Sequence, residues 1–220
     1  FYSELKGFEG TIDAFSALMN RRNSYIYYRT DHHWTSYGAF VAYEAASQIL
    51  GYNSRKYDDF TIEHADSEFR GTLFSKTLDF EITPDVIDYY TLTEGEPEVK
   101  VSVFKNYDTE TNQVIYDEYD SMYFRSFLQV KDKYSSFLGQ NSPIVTVENK
   151  NAKNDKSILL IKDSYAHSFV PFLSKEYKKV TMIDLRYINT DFQIMARLKD
   201  YDQLLFLYNV ITFSEDENII

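Results

Sequence analysis

The last third of the sequence predicts an α/β fold with a parallel sheet covered by helices. Three apolar runs, 157–162, 180–185 and 204–208, are typical of buried strands. The stretches 165–175 and 191–199 lie between them and have apolar residues at helical spacing. Short connections between strand, helix, strand, helix and strand require right-handed crossovers, so we expect the three strands to run parallel in one sheet.

The length and composition indicate one domain over residues 1–220. The chain is 44% hydrophobic and 17% aromatic, which is enough for a substantial core and too apolar for disorder. Its 20 tyrosines fit strand surfaces and half-buried positions, although tyrosine also stacks on sugars.

The N-terminal quarter predicts two helices around a short strand. Residues 1–20 have apolar positions near helical spacing, and residues 24–28 form an apolar, tyrosine-rich run that predicts a buried strand. Thr35 or Ser36 can cap a second helix that runs to about Leu50 and ends at the following glycine.

The middle of the chain, residues 61–130, predicts a mostly antiparallel β-rich lobe inserted into the domain. Short β-prone runs are broken there by glycine and proline, and the stretches 99–104 and 113–119 alternate between apolar and polar residues. The polar stretch 106–112 between them predicts the turn of a hairpin.

Charge and cysteine content exclude several classes of function. A net charge of −11 argues against nucleic-acid binding, which needs a basic face. No apolar run reaches about 18 residues, so no membrane-spanning helix is expected. The absence of cysteine excludes disulfides, iron–sulfur clusters and thiol nucleophiles. Because the sequence begins with phenylalanine, we expect it to be trimmed and to lack any N-terminal targeting or anchor segment.

The segment Asp31-His32-His33-Trp34 is the most informative motif, and it lies in a loop between the predicted strand and helix. An acid two residues before a histidine can hold the imidazole in one tautomer and stabilise its charged form, as a catalytic base requires. In an extended segment His32 points away from His33, so we expect it to be a bystander.

Ser164 is the best candidate nucleophile. In open α/β sheets ligands bind beyond the carboxyl ends of the strands. The residues that follow the three predicted strands, 163–165, 186–187 and Asn209, are therefore the candidate binding positions. Ser164 follows a buried strand and precedes a helix, whose N-terminal amides can donate to a developing oxyanion. The G-x-S-x-G elbow is absent, and the alternative is that Asp163 or Ser164 only caps the helix.

These motifs together resemble a known family. The run Thr30-Asp31-His32-His33-Trp34-Thr35 with Tyr37-Gly38-Ala39 resembles the DHHW family of bacterial proteins and is similar to the Asp-x-His-Trp-Thr motif of alginate O-acetyltransferases. Residues 161–165 with 171–173 resemble the serine segment of that family, and 184–187 its later strand end. The resemblance implies an SGNH hydrolase-like fold, which is a flavodoxin- or Rossmann-like sheet flanked by helices, with the motif order permuted.

The resemblance also implies a function. Ser164 is the expected nucleophile, His33 its base and Asp31 the residue that orients the base. The implied reaction is that of a serine-dependent esterase or O-acyltransferase, in particular an O-acetyltransferase, on an extracellular or cell-envelope glycan. It needs neither cofactor nor metal. The expected partners are a glycan or an acylated small molecule, and the resemblance leaves room for a membrane-bound acyl-transfer partner.

Further residues are expected around this site. Lys162 replaces the glycine of the family's Gly-Asp-Ser or Gly-Thr-Ser segment and is expected to reshape the oxyanion hole. Asn209 could supply an amide donor, and Tyr165 could line the cleft. Arg186 could hold a carboxylate or oxyanion, or pair with an acid. Trp34 could brace the loop from below or stack on a sugar.

Two other functions stay open. Asp-His-His also begins the manganese-binding motif of DHH phosphoesterases, but the further aspartate-rich motifs of that family are missing, and His64 and His167 are expected to be surface residues. The second alternative is a non-catalytic carbohydrate-binding or cell-surface protein that retains the fold.

Overall fold

The computed structural model of the protein describes residues 9–111, 113–188 and 200–215. Contacts between backbone segments divide the chain into two compact units, Phe1–Glu94 and Gly95–Ile220. In the part of the chain that is described, no helix is long and apolar enough to cross a membrane.

The first unit combines helices with one antiparallel strand pair. In chain order the elements of its described residues are α1 (Ala14–Asn20), α2 (Ser36–Leu50), a 3₁₀ turn (Tyr57–Asp59), β1 (Phe60–Phe69), α3 (Thr72–Thr77) and β2 (Asp85–Leu92). Within the part of the chain that the structure describes, β1 pairs only with β2. Of the predicted helix 1–20 only α1 is seen among the described residues, since residues 1–8 lie outside them.

Helix α2 confirms the prediction from its capping signals. The Thr35 hydroxyl accepts a hydrogen bond from the Gly38 N–H at 3.2 Å, and Gly51 ends the helix in the left-handed region with φ of 73°. The buried ring of Phe40 packs against those of Phe60 and Tyr90. Burying one such ring stabilises the unit by about 1.5–3 kcal/mol, so this cluster fixes α2 on the strand pair.

The predicted strand at 24–28 is wrong. Only Tyr27 forms an isolated bridge, to Trp34. Two further hydrogen bonds, from the Tyr28 N–H to the His33 carbonyl at 3.2 Å and from the Thr35 N–H to the Ile26 carbonyl at 3.0 Å, close the chain on itself. The segment before the motif therefore pairs with residues 33–35 in a small hairpin, and Asp31 and His32 lie in its loop.

The second unit is built on one mixed six-stranded sheet. Its strands are β3 (Val99–Asp108), β4 (Gln113–Tyr119), β5 (Ile144–Asn149), β6 (Ser157–Lys162), β7 (Lys179–Ile183) and β8 (Gln203–Leu207), in the order β4-β3-β5-β7-β6-β8. The α-helices seen among its described residues are α4 (Ala166–Leu173) and α5 (Val210–Glu215), and 3₁₀ turns cover Arg125–Gln129, Lys133–Ser136 and Leu185–Tyr187.

Half of this sheet agrees with the predicted parallel arrangement. β6 pairs in parallel with β7 on one side and with β8 on the other. The strands β4, β3, β5 and β7 pair antiparallel, so the sheet as a whole is mixed. The strands expected in one lobe at 61–130 are divided between two sheets, since β1 and β2 pair in the first unit while β3 and β4 belong to the second. The predicted helix 191–199 lies outside the described residues.

β6 is the central buried strand. Ile158, Leu159 and Leu160 are all 0% exposed, so both faces of the strand are covered, as is typical of parallel strands in α/β folds. Leu159 packs in a cluster with Ile144 and Ile183 of neighbouring strands. This packing gives Ser164, just beyond the strand, a rigid support.

Candidate functional site

Asp31 and His33 form a buried hydrogen-bonded pair within the first unit. The two residues are 3% and 5% exposed, and the His33 Nδ1 lies 2.5 Å from the Asp31 Oδ1, which also accepts the His33 backbone N–H at 3.0 Å. Burial alone would raise the pKa of Asp31, but its hydrogen bond with His33 and the charge of His33 outweigh burial and bring the pKa well below its usual range. The carboxylate stays ionised and holds the proton of the imidazole on Nδ1, so Nε2 is the nitrogen that can act as a base.

The second oxygen of Asp31 is held by Thr72, at the start of α3. Oδ2 accepts the Thr72 backbone N–H at 2.8 Å and its hydroxyl at 3.0 Å. The preceding Gly71 is required by space, since a Cβ on it would lie 2.3 Å from both Cβ and Oδ2 of Asp31. Sequence reasoning missed both residues, because they lie in the stretch assigned to the inserted lobe.

Asp85 anchors the other side of the motif loop. Its carboxylate is fully buried and accepts the backbone N–H groups of Arg29 and Thr30 at 2.9 and 2.7 Å. It also accepts the hydroxyls of Thr30 and Tyr25. Burial, together with the hydrogen bond to Asp85, raises the pKa of Tyr25 far above its usual range, so the phenol stays a donor. This anchor was also missed, and its only local signal was an aspartate at the start of a β-prone run.

The expectation that His32 points away from His33 is wrong. The two rings lie side by side, with centroids 3.9 Å apart and planes inclined by 37°. The His32 Nδ1 lies 2.7 Å from the Thr72 hydroxyl oxygen, although 43% of the side chain is exposed. The loop bends through residues 29–33 and is not extended, which brings both imidazoles to the same side.

Trp34 packs beneath the loop. It is 6% exposed, which favours the bracing role over sugar stacking. Gly38, one helical turn later, is kept small by this packing: a Cβ there would lie 2.2 Å from the Ile26 carbonyl oxygen and 2.9 Å from the Trp34 Cβ.

Asp31, His32 and His33 could also hold a metal ion by distance alone, since one ligand atom from each lies within 4.8 Å of the others. The hydrogen bonds argue against this use. Each oxygen of Asp31 already accepts two donors, Oδ1 from His33 and Oδ2 from Thr72. A metal would have to displace protein donors that suit a carboxylate, so the arrangement fits an oriented base better than a metal ligand.

Ser164 lies in the second unit, in the turn between β6 and α4, and is partly exposed. Asp163 builds the turn: its buried carboxylate accepts the Tyr165 N–H at 2.9 Å on one oxygen, and the Asn209 N–H at 2.8 Å on the other. The carbonyl of Ser164 accepts the His167 N–H at 3.2 Å and the Tyr134 hydroxyl at 3.1 Å. The serine backbone is therefore fixed from both sides, at a strand end as predicted.

Lys162 is buried and does not line a cleft. Its side chain is 0% exposed, and Nζ lies 2.9 Å from the His167 Nε2, 3.2 Å from the Asp184 Oδ2 and 3.3 Å from the Asn141 Oδ1. Burial lowers the pKa of Lys162, while the charge of Asp184 opposes this. His167 is 2% exposed, and its Nδ1 is 3.0 Å from the Phe137 carbonyl, so the expectation of a surface histidine is wrong. The lysine that replaces glycine thus ties the end of β6 to three other segments.

Two of the predicted binding residues are engaged with neighbouring acids. Arg186 makes a bidentate pair with the buried Asp184, with Nε and Nη2 at 2.8 and 2.7 Å from its oxygens, and this pairing raises the pKa of the guanidinium further. The side-chain amide of Asn209 donates to Asp163 and to Thr212. Arg186 and Asn209 thus support the strand ends. Tyr165, next to Ser164, is partly exposed.

A model of the DHHW protein family matches residues 1–183 of the chain. Among solved structures, a DHHW family protein from Eubacterium siraeum DSM 15702 is 25% identical with a TM-score of 0.74, over 91% of this chain and 64% of that one. Bacillus cereus PatB1 is 23% identical with a TM-score of 0.67, over 88% and 65% of the two chains. A further structure of PatB1, over 63% of its chain, carries a sulfonyl adduct. The chain thus spans less than two thirds of the length of these structures. No curated protein matches the sequence.

Proposed function

Because the chain belongs to the DHHW protein family, we propose that it is a serine-dependent O-acyltransferase or esterase with an SGNH-like site in permuted order. The observation that carries the proposal is the buried Asp31–His33 pair, in which the His33 Nδ1 lies 2.5 Å from the Asp31 Oδ1. Because the pKa of Asp31 is lowered, we infer that Asp31 is ionised and that Nδ1 carries the proton. This is the orienting half of a Ser-His-Asp triad. Ser164, on a fixed turn at a strand end, is the nucleophile that would complete it.

In the proposed reaction the His33 Nε2 takes the proton of the Ser164 hydroxyl while Oγ attacks the carbonyl carbon of an acyl ester. Collapse of the tetrahedral intermediate releases the alcohol, which takes the proton back from His33 and leaves an acyl-serine. A sugar hydroxyl or water then gives its proton to His33, attacks the acyl-serine and restores the free serine. Asp31 stabilises the imidazolium in both halves, and a base of this kind contributes about 10²–10⁴-fold.

The substrate and location follow from the family resemblance and are part of the same proposal. The acceptor is a glycan hydroxyl outside the cell or in its envelope, the transferred group is acetyl, and a membrane-bound protein supplies it. The net charge of −11 fits a neutral glycan better than a polyanion such as nucleic acid. The alternative is a non-catalytic glycan-binding role, which would be the remaining explanation if the experiments below showed no catalysis by Ser164.

The first test is hydrolysis of 4-nitrophenyl acetate by the wild type and by Ser164→Ala, His33→Ala and Ser126→Ala. Ser126 is an exposed serine in a 3₁₀ turn of the second unit and serves as the matched control. We expect the first two variants to lose at least about 100-fold in kcat, in line with the contribution of a general base, and the control to behave as the wild type.

Labelling gives an independent measurement. PatB1 has been solved with a sulfonyl adduct, so a sulfonyl fluoride is a suitable probe. Peptide mass spectrometry should find the label on Ser164 in the wild type, and less of it in His33→Ala. Equal hydrolysis rates for Ser164→Ala and the wild type, together with no label on Ser164, would rule out the serine mechanism.

A further inference from the structure

A chain of hydrogen bonds joins an exposed imidazole to the buried Asp31 carboxylate. The His32 Nδ1 is 2.7 Å from the Thr72 Oγ1, and the Thr72 hydroxyl is 3.0 Å from the Asp31 Oδ2. The backbone N–H of Thr72 reaches the same oxygen at 2.8 Å. His33 holds the other oxygen from the opposite side at 2.5 Å.

The direction of each bond follows from the charge of Asp31. An ionised carboxylate only accepts, so the single hydroxyl proton of Thr72 points to Oδ2. The Thr72 oxygen then faces His32 with a lone pair, and the His32 Nδ1 must carry a hydrogen. Both the neutral Nδ1–H tautomer and the imidazolium of His32 satisfy this requirement.

This arrangement fixes the rotation of the carboxylate. Turning Asp31 about its Cβ–Cγ bond would break two bonds from Thr72 and two from His33 together. In the observed rotation each oxygen keeps its own pair of donors, and the His33 Nδ1 lies 2.5 Å from Oδ1. His32 limits the Thr72 hydroxyl in turn, because another rotation of that hydroxyl would set its proton against the His32 Nδ1–H.

We propose that Thr72 and His32 are positioning residues of the Asp31–His33 pair. Thr72 holds the carboxylate so that Oδ1 keeps the His33 proton on Nδ1, and His32 orients the Thr72 hydroxyl. Neither touches the reacting atoms. The expected effect of Thr72 and His32 on turnover rests on the proposed function above. The expected tautomers of His32 and His33 do not depend on that function.

Each variant removes or restores one hydrogen-bonding group of the chain. Thr72→Val keeps the backbone N–H and the shape but removes the hydroxyl, and Thr72→Ser restores it. His32→Phe keeps a ring beside His33 and removes the donor to Thr72. Circular dichroism and thermal melting establish that each variant is folded.

The activity-independent measurement is NMR of ¹⁵N-histidine-labelled protein. In the wild type, long-range ¹H–¹⁵N spectra should show Nδ1–H for neutral His32, and a downfield Nδ1 proton for His33. Thr72→Val should weaken the downfield signal through exchange and release His32 to the Nε2–H tautomer, and Thr72→Ser should restore both. An Nε2–H tautomer of His32 in the wild type, or an unchanged His33 proton in Thr72→Val, would overturn the proposal.

The kinetic measurement uses 4-nitrophenyl acetate. Thr72→Val should lower kcat by about 10- to 100-fold at unchanged KM, as expected when a catalytic group loses its alignment. Thr72→Ser should recover most of the loss, and His32→Phe should show a smaller loss of the same kind. Equal losses in Thr72→Val and Thr72→Ser would show that the hydroxyl is not the cause.

If the wild type does not turn over this ester, the proposed function fails while the NMR spectra still decide the positioning roles. If Thr72→Val does not fold, His32→Phe carries both measurements.

Discussion

Replacing Gly71 with alanine tests how tightly Asp31 must be placed. The new Cβ would lie 2.3 Å from both Cβ and Oδ2 of Asp31, whereas nonbonded carbon atoms are comfortable at about 3.5–4.0 Å. The two segments must therefore separate by about 1 Å. The Asp31 side chain is not a flexible end that can swing away, because hydrogen bonds to Thr72 and His33 hold both of its oxygens.

The size of the effect follows from this displacement. A shift of about 1 Å in a group that aligns a base is expected to lower kcat/KM by about 100-fold. Overpacking of this kind costs about 1–3 kcal/mol in the free energy of unfolding. Urea unfolding gives the second quantity, and hydrolysis of 4-nitrophenyl acetate per folded molecule gives the first.

Gly51→Ala is the matched control. At Gly51 the φ of 73° makes alanine unfavourable by roughly 1–2 kcal/mol, but a Cβ there would meet no atom within 4 Å. This variant should lose stability and keep the wild-type kcat/KM. The reasoning would be refuted if Gly71→Ala kept the wild-type kcat/KM, or if both variants lost activity only in proportion to their unfolded fraction.

Two further predictions concern buried charges. Lys162→Met removes the donor shared by His167, Asp184 and Asn141. Because Arg186 still pairs with Asp184, we expect a loss of about 1–3 kcal/mol in the free energy of unfolding by urea titration, and no loss would contradict the network. The lowered pKa of Asp31 stabilises the fold above its ordinary value of 3.8, and this contribution is lost as the pH falls below that value toward the lower pKa of the folded state. The stability difference between the wild type and Asp31→Asn, measured by urea unfolding at pH 7 and at pH 3, should therefore shrink at the lower pH, and an equal difference at both would argue against an ionised, paired carboxylate.

Local signals account for the parts of the fold that the sequence predicts well. Thr35 and Gly51 mark the ends of α2 through contacts within four residues, and the apolar run at 157–162 needs only burial on both faces to become β6. The run 24–28 has the same apolar character, yet among the described residues its backbone pairs only with residues 33–35. Strand propensity fails there because pairing partners, and not composition, decide whether a strand forms.

The candidate site was predictable only where its residues are neighbours in sequence. Asp31 and His33 are two positions apart, and their pairing follows from the motif. Thr72 is 41 positions from Asp31, and Asp85 is 55 positions from Thr30, so no local pattern announces either contact. Lys162 could be placed at a strand end but not in its surroundings, because the acid and the imidazole that surround it come from other elements.

The same distant contacts bear on which chemistry the motif serves. The sequence Asp-His-His is compatible with a metal site as well as with a catalytic base. The ligand atoms of Asp31, His32 and His33 lie close enough together for either use. What separates the two is the source of the donors to the carboxylate. Oδ2 accepts a backbone N–H and a hydroxyl from Thr72, and Gly71 lets that segment approach, so the oxygen a metal would need is already bonded to protein. In a chain with the same Asp-His-His run but a bulky residue in place of Gly71, the carboxylate would lose these donors, and its preference for orienting a base over binding a metal would weaken.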